Sequence, residues 1–95
     1  MKQKRGRLEI CRDILNVARD GAGITAIVYG ANLNFPIANK NIIEMETNGL
    51  ITVEVLPQGG GRHKLYMTTE KGLAFIKSLD ETIAIFQFPA PLLMS

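Results

Sequence analysis

Two helical stretches separated by only three residues constrain this chain more than any other feature. Residues 25–30 and 34–48 both carry helix-compatible patterns, and Ala31, Asn32 and Leu33 lie between them. Small Ala31 lets two helices approach closely, and Asn32 tolerates the left-handed conformation that a sharp reversal needs. Thr25 is the expected cap of the first helix, through a hydroxyl that accepts from an N–H of the opening turn. Asn34 caps the second helix in the same way, and Pro36 falls in its first turn, where a missing N–H costs nothing. Ala38, Ile42 and Met45 recur at i, i+4 and i+7 as one buried stripe. Asn48 and Gly49 close the helix with the residue type that accepts positive φ. A short helix, a tight turn and a longer helix with one polar face make a helix-turn-helix.

The rest of the chain has to supply a core for that motif. Its 95 residues suffice for one domain without disulfides or metal, and 46% hydrophobic with 21% charged residues is a folded composition. The longest apolar runs are far too short to cross a membrane. The basic N-terminus is followed by Leu8 to Leu15 interrupted by Glu9, Arg12 and Asp13, which is not the apolar centre of a secretion signal. A soluble, cytoplasmic and nucleoid-associated protein is expected. Cys11 is the single cysteine and lies on an apolar stripe, so it reads as a buried, inert thiol. His63 is the single histidine and has no second ligand to share a metal. No metal or cofactor is expected, and no arrangement of nucleophile, base and acid assembles a catalytic site.

Residues 1–6 read as a flexible basic arm containing Lys2, Lys4 and Arg5. Over 7–20 the apolar residues Leu8, Cys11, Ile14, Leu15 and Ala18 keep helical spacing. Gly21, Ala22 and Gly23 end that helix, and a short extended piece is expected around Ile24. After Gly49 the period changes from 3.6 to 2: residues 50–55 alternate and are rich in β-branched side chains. Residues 57–61, Pro-Gln-Gly-Gly-Gly, break both patterns, and residues 62–68 form a second strand. The pair is a β-hairpin whose loop is longer than a tight turn and is made mobile by three glycines. Thr69 caps a last helix with Glu70 in its first turn. Leu73, Ile76, Leu79, Ile83 and Phe86 stripe that helix, with the 3, 4, 3 spacing of a helix-pair seam from Ile76 onward. Phe75, Ala84 and Ile85 add apolar surface off the seam. Beyond it, Pro89 and Pro91 interrupt an apolar tail that is expected to pack on a partner or back on the domain. The division is therefore a basic arm (1–6), a core domain (7–68), a pairing helix (69–87) and a tail (88–95).

Helix, helix-turn-helix, hairpin, helix is an α+β order, that of a winged helix-turn-helix domain. In such a domain the second helix of the motif enters the major groove of double-stranded DNA. With Ala38, Ile42 and Met45 turned inward, the outward residues are Asn34, Pro36, Asn39, Lys40, Ile43 and Thr47. Asn39 can read adenine through its amide, Lys40 can reach guanine or phosphate, and Ile43 can touch a thymine methyl. Arg62, His63 and Lys64 on the hairpin, and Lys4, Arg5 and Arg7 on the arm, are candidate phosphate contacts that position rather than specify. Net charge is only +2, and residues 34–48 set Lys40 against Glu44 and Glu46. Three glycines at 59–61 are not a nucleotide-phosphate loop, because a strand follows them instead of a helix N-terminus with Lys-Ser/Thr. A DNA-binding homodimer is the leading reading. A winged helix that docks proteins through its apolar last helix, without touching DNA, is the alternative.

The residues Lys4, Arg5, Gly6, Arg7, Leu8, Glu9 and Ile10 at the entry to the first helix resemble a family of small archaeal winged-helix DNA-binding proteins. So do Thr25-x-Ile27-x-Tyr29-x-Ala31-Asn32-Leu33-Asn34-Phe35, Gly49-Leu50-Ile51 and Tyr66-x-x-Thr69-x-x-Gly72. The likeness spans roughly residues 4–86. It implies a dimer joined through the C-terminal helix, here at Ile76, Leu79, Ile83 and Phe86, and a chromatin-associated or regulatory role on DNA. The chain departs from that pattern in carrying Lys40 alone on the recognition helix and in a last helix that stops near Phe86.

Overall fold

A computed structural model describes residues 5–58 and 61–87. The elements run α1 (Arg7–Val17), α2 (Ile24–Gly30), α3 (Phe35–Thr47), β1 (Ile51–Gln58), β2 (Gly61–Thr68) and α4 (Glu70–Gln87). Both the expected α+β order and the winged arrangement are present. Ile14 and Leu15 of α1, Ile27 of α2 and Ile51 of β1 are the largest fully buried side chains, and Ile42, Met45, Tyr66 and Ile76 close around them. Each such aliphatic side chain contributes about 1.5–3 kcal/mol by leaving water.

The basic arm is shorter than its charge pattern suggests. Gly6 is the N-cap of α1 in extended conformation, and its N–H donates to Glu9 Oε1 at 2.8 Å. Arg5 is anchored to the folded domain rather than flexible, while Lys2 and Lys4 lie outside the described residues.

After α1 the chain reverses at Gly21, whose φ of +99° suits glycine. The extended piece then falls at Ala22, not Ile24. Ala22 N–H donates to Tyr66 O at 2.9 Å and Tyr66 N–H donates to Ala22 O at 2.8 Å. With both backbone groups of Ala22 engaged by the hairpin, the chain turns into α2 at once. Gly23 therefore occupies the cap position, and Thr25 sits exposed in the first helical turn instead of capping it.

The α2–α3 reversal forms as its residues dictate. Asn32 adopts φ 57°, and Asn34 Oδ1 accepts from Ile37 N–H at 2.9 Å to cap α3. At the other end, Gly49 N–H donates to Glu46 O at 3.1 Å and Leu50 N–H to Met45 O at 2.9 Å. Gly49 has φ +78°, so the last carbonyls are satisfied by a left-handed glycine cap.

The antiparallel ladder runs from Ile51↔Thr68 to Gln58↔Gly61. It continues through Pro57, which the sequence reading placed in the loop. Proline fits because β1 pairs with β2 on one side only. Only residues 59 and 60 separate the paired positions, so the connection is shorter than expected. Its proposed mobility concerns residues outside the described ones, as does the packing of the tail at 88–95.

At the start of α4, Thr69 Oγ1 accepts from Gly72 N–H at 3.0 Å and donates to Gly49 O at 2.7 Å. Gly72 is required by closeness rather than by φ. A Cβ on it would lie 2.3 Å from Leu50 O and 2.6 Å from Thr68 Cγ2. Ile76, read from its spacing as part of a pairing seam, is only 2% exposed and packs into its own domain's core. We predict that Gly72→Ala destabilises the fold by about 1–3 kcal/mol, because backbone cannot yield as a side chain can. Thermal unfolding measures this, and an unchanged midpoint would show that the α4 junction is looser than described.

Candidate nucleic-acid interface

α3 buries Ala38, Asn41, Ile42 and Met45, and this fixes what the opposite side presents. Pro36, Asn39, Lys40, Ile43 and Thr47 are all exposed, Ile43 at 62%. Lys40 makes no ion pair among the described residues. Asn34 is exposed as well, but its amide oxygen is committed to the helix cap. Thr47 donates its hydroxyl to Ile43 O at 2.9 Å, so that donor is turned back on the helix. The side chains brought together for outward contact are therefore Asn39, Lys40 and Ile43, flanked by Pro36.

The acidic balance of the segment is altered by its neighbours. Arg7 of α1 pairs with Glu44, which offsets one of the two carboxylates on α3. Below that pair, the Cys11 thiol donates to Asn41 Oδ1 at 3.6 Å, and Asn41 Nδ2 donates to Ile37 O at 2.9 Å. α3 is thus held against α1 by a charged contact at its edge and a polar one beneath. Arg5 and Arg7, candidates for phosphate contacts by their charge, are both engaged within the chain. Burial pushes the Cys11 thiol upward, with Arg7 opposing and Glu44 adding to the shift.

On the hairpin, His63 pairs across to Leu56 and Lys64 to Val55. Both side chains are exposed, but successive strand residues point to opposite faces, so the two do not form one patch. Arg62 lies in the ladder opposite Pro57, and Lys4 is outside the described residues.

Composition and spacing missed two aromatic side chains. Tyr29 on α2 is 77% exposed and Phe35 at the start of α3 is 44% exposed. The signal was present in the sequence. Ile27, Val28 and Ala31 form the buried side of that stretch, which leaves Tyr29 off the apolar stripe and unexplained by packing. Among the described residues no group of three or more His, Cys, Asp or Glu could hold a metal ion, and no helix is long and apolar enough to cross a membrane.

A tight two-helix turn, an exposed polar face on its second helix and an antiparallel hairpin behind it define a winged helix-turn-helix domain. The chain belongs to the winged helix-turn-helix family, whose sequence profile matches residues 4–86. It is similar to Sso10a-2, a DNA-binding protein from Sulfolobus solfataricus, at 30% identity over 93% of this chain and 88% of that one, with a TM-score of 0.77. A PadR family transcriptional regulator from Eggerthella lenta shares 20% identity over 94% of this chain and 84% of its own, with a TM-score of 0.81. MarR from Staphylococcus aureus, solved with salicylate and kanamycin, shares 24% identity over 98% of this chain and 59% of its own, with a TM-score of 0.71. The last two likenesses are of fold alone. No curated protein matches the chain.

The raised Cys11 value carries a pH prediction. A thiol whose folded value exceeds its ordinary 9.0 contributes stability that is fully present below that pH and lost as pH rises through the folded value. Denaturant titration should show wild-type stability falling above about pH 9 more steeply than that of Cys11→Ala. Parallel curves would mean that the thiol is as well solvated in the fold as in the unfolded chain.

Proposed function

We propose that the protein binds double-stranded DNA as a homodimer, acting as a transcriptional regulator or a chromatin-associated protein. The observation that carries this reading is the outward face of α3, where Asn39, Lys40 and Ile43 stand exposed on a helix whose other side is fixed in the core. Amide, ammonium and apolar side chains side by side suit base edges and phosphate in a major groove. Arg62 and Lys64 of the hairpin add phosphate contacts beside it, and exposed Tyr29 and Phe35 extend the same contact toward the turn. The DNA-binding relative Sso10a-2 supports the reading. The role is binding rather than catalysis, on cytoplasmic, nucleoid-associated DNA.

The homodimer is proposed along the second half of α4. Ile85 is 64% exposed, Leu79 and Ile83 are half-buried within one chain, and Phe86 follows on the same helix. Ile76 drops out of this seam because it is buried. An apolar side chain as exposed as Ile85 on a regular helix gains by pairing with a second copy.

Fluorescence anisotropy of a random-sequence duplex, titrated at several salt concentrations, tests the DNA reading. Lys40, Arg62 and Lys64 on each of two chains, at about 0.9 per neutralised phosphate, give a log–log slope of roughly −5. Replacing Arg62 and Lys64 with Ala should weaken binding to all sequences alike and flatten that slope. Absence of binding at low salt would sink the reading and favour the protein-docking alternative. For the dimer, Ile85→Asp should halve the mass seen by light scattering while the circular dichroism spectrum is retained. Ile76→Asp should instead unfold the chain, since a carboxylate there would be buried without a partner. An Ile85→Asp protein of unchanged mass would place the pairing surface elsewhere.

A further inference from the structure

We propose that Arg5 is a positioning residue for α3, a clamp on the helix-turn-helix reversal rather than a contact to DNA. α2 is seven residues long, and the carbonyls at its end need partners from outside the helix. Ile27 O accepts from Ala31 N–H at 2.9 Å, Val28 O from Leu33 N–H at 2.8 Å and Tyr29 O from Asn32 N–H at 3.2 Å. Past Gly30, the carbonyls of Ala31 and Asn32 are taken by Arg5: Nη1 donates to Ala31 O at 2.7 Å and Nη2 to Asn32 O at 2.8 Å. A guanidinium at a helix C-terminus also meets the negative end of the helix dipole.

The clamp is referenced to the most buried part of the molecule. Arg5 Nη1 also donates to Asp13 Oδ2 at 2.7 Å, and Asp13 immediately precedes Ile14 and Leu15, both fully buried. One planar group thus ties the turn to α1 through three bonds. Asn32, one of its acceptors, holds the left-handed φ of 57° that sends the chain into α3, and the cap residue Asn34 follows two positions later. Fixing those carbonyls fixes the direction in which α3 leaves the turn, and with it the presentation of Asn39, Lys40 and Ile43. Three of the five guanidinium donors are consumed and Asp13 offsets the charge. A lysine cannot substitute, because its ammonium is a point charge without the planar fork that spans two adjacent carbonyls.

This inference rests on the DNA-binding reading for its effect on affinity, but not for its effect on the turn. The experiment compares the full chain with Arg5→Lys, Arg5→Gln and Asp13→Asn by amide hydrogen exchange and by anisotropy with a random-sequence duplex across a salt series. Circular dichroism checks that each variant is folded, and the isosteric Asp13→Asn serves should the Arg5 variants not fold. All three should exchange the Ala31, Asn32 and Leu33 amides about tenfold faster, as expected for losing charged hydrogen bonds. DNA affinity should fall by about tenfold in the two Arg5 variants, Arg5→Lys giving no rescue, with the wild-type salt slope retained. A slope lowered by about 0.9 per chain in Arg5→Gln and restored in Arg5→Lys would make Arg5 a phosphate contact and overturn the proposal. Unchanged exchange at the turn would overturn it too. Should the wild-type chain bind no DNA, the functional reading fails, and the exchange rates alone decide whether Arg5 clamps the turn.

Discussion

The C-terminal end of α1 is where the parts of this domain are joined. Its last carbonyls need partners beyond the helix itself, and β2 reaches two carbonyls there: Thr68 Oγ1 donates to Leu15 O at 2.6 Å and Thr68 N–H to Ala18 O at 3.0 Å. These two bonds seat the hairpin against the helix that carries Ile14 and Leu15. Two residues upstream, Tyr66 captures Ala22 and so determines where α2 begins. Hairpin, first helix and helix-turn-helix are thereby locked to one another by backbone groups and the Thr68 hydroxyl, and the aliphatic side chains fill the space this leaves.

Charge is organised around the same helix. Arg5 and Arg7 sit at the start of α1 and Arg12 at its middle, and each meets an acidic partner, Asp13, Glu44 and Asp80 respectively. Ion pairs that remain in reach of solvent, as these do, add little stability. Their effect here is on direction, because they connect α1 to the turn, to α3 and to α4. A count of arginines in the N-terminal segment therefore overstates what is available to a polyanion. Lys40 and Lys64, by contrast, have no acidic partner among the described residues.

The helix-turn-helix was legible from local chemistry because its signals are backbone signals. Asn32, Asn34, Pro36 and Gly49 each occupy the backbone conformation that their residue type favours. The alternation after Gly49 marked the hairpin for the same reason. What failed depended on residues distant in sequence. Thr25 lost the cap to Gly23 because Tyr66 holds Ala22, a contact no local pattern announces. Pro57 looked like a strand breaker but lies on an edge. Ile76 fits a pairing seam and a core equally well by spacing, and only packing chooses between them. For the candidate interface, exposure of Asn39, Lys40 and Ile43 followed from helical period alone. The inward engagement of Arg5 and Arg7 depended on where Asp13 and Glu44 came to lie.

The junction between α3 and α4 has a mechanical consequence. Asn48, Gly49 and Leu50 give their carbonyls to Lys71, Thr69 Oγ1 and Thr69 N–H respectively, and Gly72 rests directly on Leu50. The hairpin intervenes in sequence, but these bonds join the end of α3 directly to the start of α4, as two arms meeting at one junction. The longer arm, α4 with 18 residues, is roughly 27 Å at 1.5 Å per residue. In the proposed pair of chains crossing along α4, the crossing point and angle together would set the separation and the tilt of the two α3 helices. Spacing along a duplex would be tuned by residues far from any base.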